Sequence, residues 1–164
     1  MSSARWAGFA AAVGTALAVL APATASAAVS GDHCVGDLGT GVTKCFATEA
    51  EAAAYHPAAK VWVELVRLYD LPGYAGPSLR LGGDVTQCTP PTADPEVAVP
   101  NLAAYHWDNR VSSFKATRQC RVKLWDGYRY AGQSTEGGRD GYLDHSENLA
   151  TIGFDNRATS LKIS

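Results

Sequence analysis

The stretch VRLYDLPGYAG, Val66 to Gly76, returns 56 residues later as VKLWDGYRYAG, Val122 to Gly132, with six of eleven positions identical. A second stretch, NLAAYHWDNRVSSFK (Asn101 to Lys115), returns as NLATIGFDNRATSLK (Asn148 to Lys162) at an offset of 47, eight of fifteen identical and ungapped. The same two segments therefore occur twice in the same order, and the first copy carries 56 − 47 = 9 extra residues between them. Val61, Val63 and Leu65 alternate with Trp62 and Glu64, and Val66 to Tyr69 runs on to a turn at Leu71-Pro72-Gly73, which reads as strand and tight turn. A unit this short cannot bury one face of a sheet alone, so two copies predict one shared core. Antiparallel strands with Gly-rich turns predict an all-β Greek-key sandwich. The extra residues fall within 82–100, where Pro90, Pro91, Pro95 and Pro100 predict an irregular loop.

The 164 residues suit one globular domain, with 46% hydrophobic and 18% charged residues. With 14 basic and 16 acidic side chains, the chain lacks the basic excess of a nucleic-acid groove, so no nucleic-acid partner is expected. Residues 1–27 read as an export signal: Arg5, the apolar run Ala7 to Leu20, and the cleavage triplet Ala25-Ser26-Ala27. A cut after Ala27 leaves 164 − 27 = 137 residues, and one after Ala28 is the alternative. The expected product is secreted, extracellular and monomeric, with no membrane span.

All four cysteines lie beyond that segment, and an even count in an exported chain predicts disulfides. Three pairings are possible. Cys34–Cys45 with Cys88–Cys120 is favoured, because Cys34 and Cys45 flank Leu38-Gly39-Thr40-Gly41, a hairpin turn. The second pair would tie the 82–100 loop to the start of the second unit. The absence of C-x-x-C spacing argues against structural zinc or a redox pair. Residues 28–60 are thus expected to hold a disulfide hairpin and a short helix, begun by the capping box Thr48-Glu49-Ala50-Glu51 and stopped by Pro57.

Residues 61–164 resemble the βγ-crystallin domain. The family's hairpin signature is an aromatic, four residues, an aromatic, one residue and glycine. It is met by Tyr69 with Tyr74-Ala75-Gly76, and by Trp125 with Tyr130-Ala131-Gly132. The family's calcium signature is two Asp/Asn, two variable residues, Ser/Thr and Ser. It is met by Asp108-Asn109-Arg110-Val111-Ser112-Ser113 and by Asp155-Asn156-Arg157-Ala158-Thr159-Ser160. The resemblance implies two Greek keys, about 61–117 and 118–164, packed as a sandwich, with two Ca2+ sites that each draw on both units. The implied ligands are Asp108, Asn109, the Arg110 carbonyl and Ser112, and Asp155, Asn156, the Arg157 carbonyl and Thr159. These oxygens suit a hard cation that takes six to eight ligands in tolerant geometry. One carboxylate per motif favours modest affinity, and each arginine places positive charge near its ion. Asp-Asn followed by Ser is also ordinary turn chemistry; the doubling, after two hairpin signatures, favours calcium.

No catalytic motif accompanies this pattern, so no enzyme is expected. His33, His56, His106 and His145 stand at unrelated spacings, and Asp144-His145-Ser146 are neighbours that cannot face one another as a triad requires. Trp107 and Phe154 occupy equivalent repeat positions and read as core. The chain is also similar to the secreted metalloproteinase inhibitors of actinomycetes, which makes a secreted protease the alternative partner, met through the proline-stiffened loop.

Overall fold

The computed structural model describes residues 31–57, 61–89, 92 and 94–164; the export signal expected at 1–27 lies outside these described residues. The chain runs through β1 (His33–Asp37), β2 (Thr43–Phe46), α1 (Glu49–Ala54), β3 (Val63–Leu71), β4 (Ala75–Gly83) and β5 (Val97–Val99). It continues through β6 (Ser113–Ala116), β7 (Val122–Trp125), β8 (His145–Ser146) and β9 (Ser160–Ile163). A six-stranded sheet has the order β2-β1-β4-β3-β6-β8, and a three-stranded sheet the order β5-β9-β7.

The two units are interlocked. Strand β5 of the first unit pairs with β9 of the second, and β8 of the second pairs with β6 of the first. Each unit thus lends a strand to the other's sheet, which yields the doubled Greek-key sandwich. Repeat-equivalent side chains fill the core together: Leu68 with Leu124, Leu102 with Leu149, Trp107 with Phe154, and Phe114 with Leu161, none more than 3% exposed. Each such side chain contributes about 1.5–3 kcal/mol by leaving water, and each unit alone would leave its share wet.

Two expectations need correction. Val61 precedes β3 and is exposed, while a bulge between Glu64 and Val66 turns both Leu65 and Val66 inward. Within 82–100, Val97–Val99 is a strand: Pro95 and Pro100 flank it without interrupting it, and β9 supplies the ladder.

Around Leu38-Gly39-Thr40-Gly41, the Asp37 carboxylate accepts from the N–H groups of Gly39 (2.8 Å) and Thr40 (3.1 Å), closing the β1–β2 hairpin. Cys34 stands opposite Cys45 and is bonded to it; Cys88 is bonded to Cys120. Strand β1 also pairs in parallel with β4, so the N-terminal hairpin extends the larger sheet and covers its edge. Helix α1 carries the capping box in full, with Thr48 and Glu51 bonded reciprocally. It is fastened to the sheet by Arg80, which donates to the Ala52 carbonyl and to Glu64, both at 2.6 Å. No helix among the described residues is long and apolar enough to cross a membrane.

Candidate metal site between the two units

The hairpins are built first. In each, the two signature aromatics meet edge to face, Tyr69 with Tyr74 at 5.8 Å and Trp125 with Tyr130 at 5.5 Å between centroids. Gly132 sits at φ +78°, and a Cβ there would strike the Asp126 carboxylate, so the fold-over demands glycine. Ser113 Oγ donates to the Leu71 carbonyl (2.6 Å) and accepts from the Tyr74 N–H (3.1 Å). Ser160 Oγ does the same with the Gly127 carbonyl (2.7 Å) and the Tyr130 N–H (3.0 Å). The last serine of each calcium signature is therefore a hairpin clamp. Ser113→Ala and Ser160→Ala are each expected to cost about 1.5 kcal/mol in urea unfolding, because each removes a fully buried hydroxyl that makes two part-buried hydrogen bonds; a cost below about 0.5 kcal/mol would contradict the clamp.

These clamps set the two Asp-Asn turns against each other. The Asn109 N–H donates to the Ala158 carbonyl (2.9 Å), and the Asn156 N–H donates to the Val111 carbonyl (3.0 Å). Both asparagines are left-handed, at φ +53° and +52°, a conformation asparagine tolerates better than most residues. The Ser112 and Thr159 carbonyls accept from the Leu149 N–H (2.9 Å) and the Leu102 N–H (2.7 Å) of the opposite unit. The Arg110 and Arg157 carbonyls accept none of the hydrogen bonds among the described residues.

Buried Ser112 donates its hydroxyl to the Asn156 side-chain oxygen at 3.3 Å, across the unit boundary. Two oxygens bound at right angles to one calcium ion lie about 3.4 Å apart, so this separation fits a shared ion. The amide nitrogens of Asn109 and Asn156 turn back onto their own Asp108 (3.2 Å) and Asp155 (3.4 Å). Asp155 Oδ1 is buried without a hydrogen-bond partner. Such an oxygen is costly to bury unless a cation or donor meets it. Asp108 is exposed, Thr159 is half-buried, and the equivalent Thr159–Asn109 contact is not formed among the described residues. The donor set fits a hard cation. It differs from a site of clustered His, Cys and carboxylates, of which the described residues hold none with three or more members.

The arginines alter the expected electrostatics. Arg110 donates to Asp70 (2.7 Å) and lies 4.7 Å over the Trp107 ring. Arg157 donates to Asp126 and to Gln133 Oε1, both at 2.6 Å, and lies 5.2 Å over Phe154. Each guanidinium is thus neutralised by its own unit's hairpin, rather than left as free positive charge beside an ion. Asp70 and Asp126 were not among the expected site residues, although their identity in both copies was a signal. Asp144 and His145 do touch, at 3.0 Å on an exposed edge, but Ser146 joins no hydrogen bond with them.

No family model matches the chain, and no curated protein does. Among solved structures it is similar to a βγ-crystallin domain from Flavobacterium johnsoniae, at 18% identity and TM-score 0.42 over 62% of this chain and 94% of that one. It is also similar to the N-terminal domain of protein S, at 18% identity and TM-score 0.44 over 61% and 94%. A clostrillin double mutant in complex with nickel matches at 15% identity and TM-score 0.44 over 62% and 98%.

Proposed function

We propose that this is a secreted calcium-binding module of βγ-crystallin type, in which two Ca2+ ions bridge the Greek-key units and stabilise their pairing. The observation that carries the reading is the meeting of the two Asp-Asn turns, which sets the Ser112 hydroxyl 3.3 Å from the Asn156 oxygen of the other unit. Asp155, Asn156 and Ser112, with the carbonyls of Arg110 and Arg157, would hold the ions together with Asp108, Asn109 and Thr159. Bound calcium would supply charge to Asp155 Oδ1 and to the Arg110 and Arg157 carbonyls, which otherwise lack a donor among the described residues. Calorimetric titration is expected to find two sites, and Ser112→Ala and Thr159→Ala are each expected to weaken one while leaving near-UV dichroism unchanged. Heat of binding that is absent in the parent, or undiminished from the parent in both variants, would sink the proposal.

Proteinase inhibition is the second reading, favoured by the anchoring of the described part of the 82–100 loop. Its base is held by the Cys88–Cys120 bond, and Glu96 accepts from both the Thr89 N–H (2.6 Å) and its hydroxyl (2.9 Å). A rigid loop binds a cleft at low ordering cost. Yet Thr92 is buried and donates to Asp140 (2.8 Å), so part of the loop lies against the second unit. Unchanged activity of a thermolysin-like enzyme at micromolar protein would remove this reading.

A further inference from the structure

We propose that the second unit carries a seat for strand addition, a hollow of about 690 Å³ that takes an extended segment of a partner protein. Gln133, Ser134, Glu136, Ile152, Phe154 and Arg157 are among the residues that line it. The first unit shows what the same place holds there. By the two repeat offsets, Ser134 corresponds to Ser78 and Ile152 to Tyr105. The pairing agrees, since Ser134 stands opposite Trp125 as Ser78 stands opposite Tyr69. Strand β1 lies between Ser78 and Tyr105: His33 pairs with Ser78, and Gly36 is so close to the Tyr105 ring that a Cβ would meet it at 2.7 Å. Only Thr117 to Arg121 separate β6 from β7, so the second unit has no hairpin of its own to lay there.

The corresponding groups differ as an open seat requires. The Ser78 N–H donates to the Asp32 carbonyl (2.9 Å), and the Ser78 hydroxyl meets His33 Nδ1 (3.0 Å). The Ser134 N–H and hydroxyl take part in none of the hydrogen bonds among the described residues. The Asp126 N–H donates to the Gln133 carbonyl (3.0 Å) and the Thr135 N–H to the Leu124 carbonyl (2.9 Å), so the main-chain groups of Ser134 between them face away from β7. Tyr105 is 7% exposed beneath β1, whereas Ile152 is 46% exposed. Free main-chain groups on a sheet edge, beside an uncovered apolar side chain, are what an added strand needs: the backbone supplies affinity and the side-chain seat specificity.

Beyond Thr135 the chain swings out and returns at Leu143, which stands opposite Val122 as Leu81 stands opposite Val66. The Thr135 hydroxyl closes this excursion by donating to the Gly141 carbonyl (2.9 Å). The accepting edge is therefore short, and the side chain laid over Ile152 decides which segment fits. With isoleucine in place of tyrosine, the seat has room for a large apolar side chain where β1 admits only glycine. That residue comes three positions after the one facing Ser134, as Gly36 follows His33. Of the two charged groups on the lining, Arg157 is already held by Asp126 and Gln133, so the exposed Glu136 carboxylate favours a basic residue in the incoming segment.

The test titrates the disulfide-intact protein, in chelator, with a synthetic disulfide-closed hairpin of residues 32–46 carrying Val35→Lys and Gly36→Leu. NMR is expected to show saturable amide shifts centred on residues 132–136 and 152–157, with slower hydrogen exchange at Ser134. The hairpin that keeps Val35 and Gly36 is expected to bind more weakly. Ser134→Pro removes the outward N–H at an edge position that tolerates proline, and Ile152→Glu charges an exposed side chain of the seat. Each is expected to lose at least about tenfold in affinity with its own spectrum otherwise retained. Shifts that do not saturate, that centre elsewhere, that a scrambled peptide reproduces, or that survive in both variants would overturn the seat. Concentration-dependent shifts of the same residues in the protein alone would assign it to a second copy and overturn the partner reading. Chelator keeps these outcomes independent of the calcium sites.

Discussion

Calcium at a hundred times its dissociation constant is expected to raise the melting midpoint by roughly 15–25 °C, with chelator restoring the lower value. A ligand that binds only the folded state at that excess contributes about 2.7 kcal/mol per site. Two sites add about 5 kcal/mol, and a chain of this size gains roughly 3–5 °C per kcal/mol. The gain should be this large because the proposed ligands come from both units, so no such site would survive once the units part. Magnesium should shift the midpoint far less, since it demands near-octahedral geometry at shorter distances. Ser112→Ala, which removes the hydroxyl without overfilling a position only 1% exposed, should remove up to about half of the calcium increment and change the chelated midpoint far less. A parent whose midpoint ignores millimolar calcium would leave the facing turns as structural bends only.

The second large effect concerns Glu64, which joins α1 to the larger sheet through Arg80 and Arg67. Arg80 Nε donates to Glu64 Oε2 at 2.6 Å and Arg67 Nε to Glu64 Oε1 at 2.8 Å, while Arg67 also reaches Glu49 at 2.6 Å. Burial by itself would raise the Glu64 pKa, but the hydrogen bonds and charges of Arg67 and Arg80 together hold it below the usual carboxylate range. The Arg80 side chain is only 9% exposed, so Glu64→Ala strands a buried cation. We expect a loss of about 3 kcal/mol at pH 7, at the low end for a broken buried pair because Arg67 remains partly wet. The pH dependence follows in sign. A carboxylate with a lowered folded pKa contributes its stability above its unfolded value near 4.3, and loses it as pH falls through the lowered folded value. Urea unfolding of the parent should therefore show an acid limb below about pH 4.3, and Glu64→Ala should flatten it. A variant within about 0.5 kcal/mol of the parent at pH 7, or with the same acid limb, would show that the cluster is only a solvated surface network.

The doubled architecture was legible because its cause is local and repeated. Two segments recur with their aromatic, glycine and serine positions intact, and a short strand-rich unit has no stable alternative to packing against its copy. The capping box at Thr48–Glu51 and the Asp37–Gly41 turn were legible for the same reason, since each is closed by residues three or four apart. Val97–Val99 was hidden: a three-residue strand has no periodicity to read, and its existence depends on β9, more than sixty residues away. The bulge at Leu65 escaped likewise, because alternation counts residues and a bulge adds one.

At the candidate site, residue types were readable and their arrangement was not. The two Asp-Asn-Arg motifs announce oxygen donors from their spelling alone, whichever way the chain bends. Only the pairing of the units brings Ser112 to Asn156 and turns the backbone N–H groups of Asn109 and Asn156 onto the opposite backbone, while the folding of each hairpin onto its own unit's later strand assigns Ser113 and Ser160 to the hairpins. The fates of Arg110 and Arg157 were decided within each unit, by Asp70 and Asp126 some thirty to forty positions away. Composition and repetition thus determined that two β units would share a core, because burial depends on how much apolar surface a segment carries. Tertiary structure decided which oxygens meet and which charges cancel, because a coordination shell or an ion pair depends on distances that no linear spacing specifies.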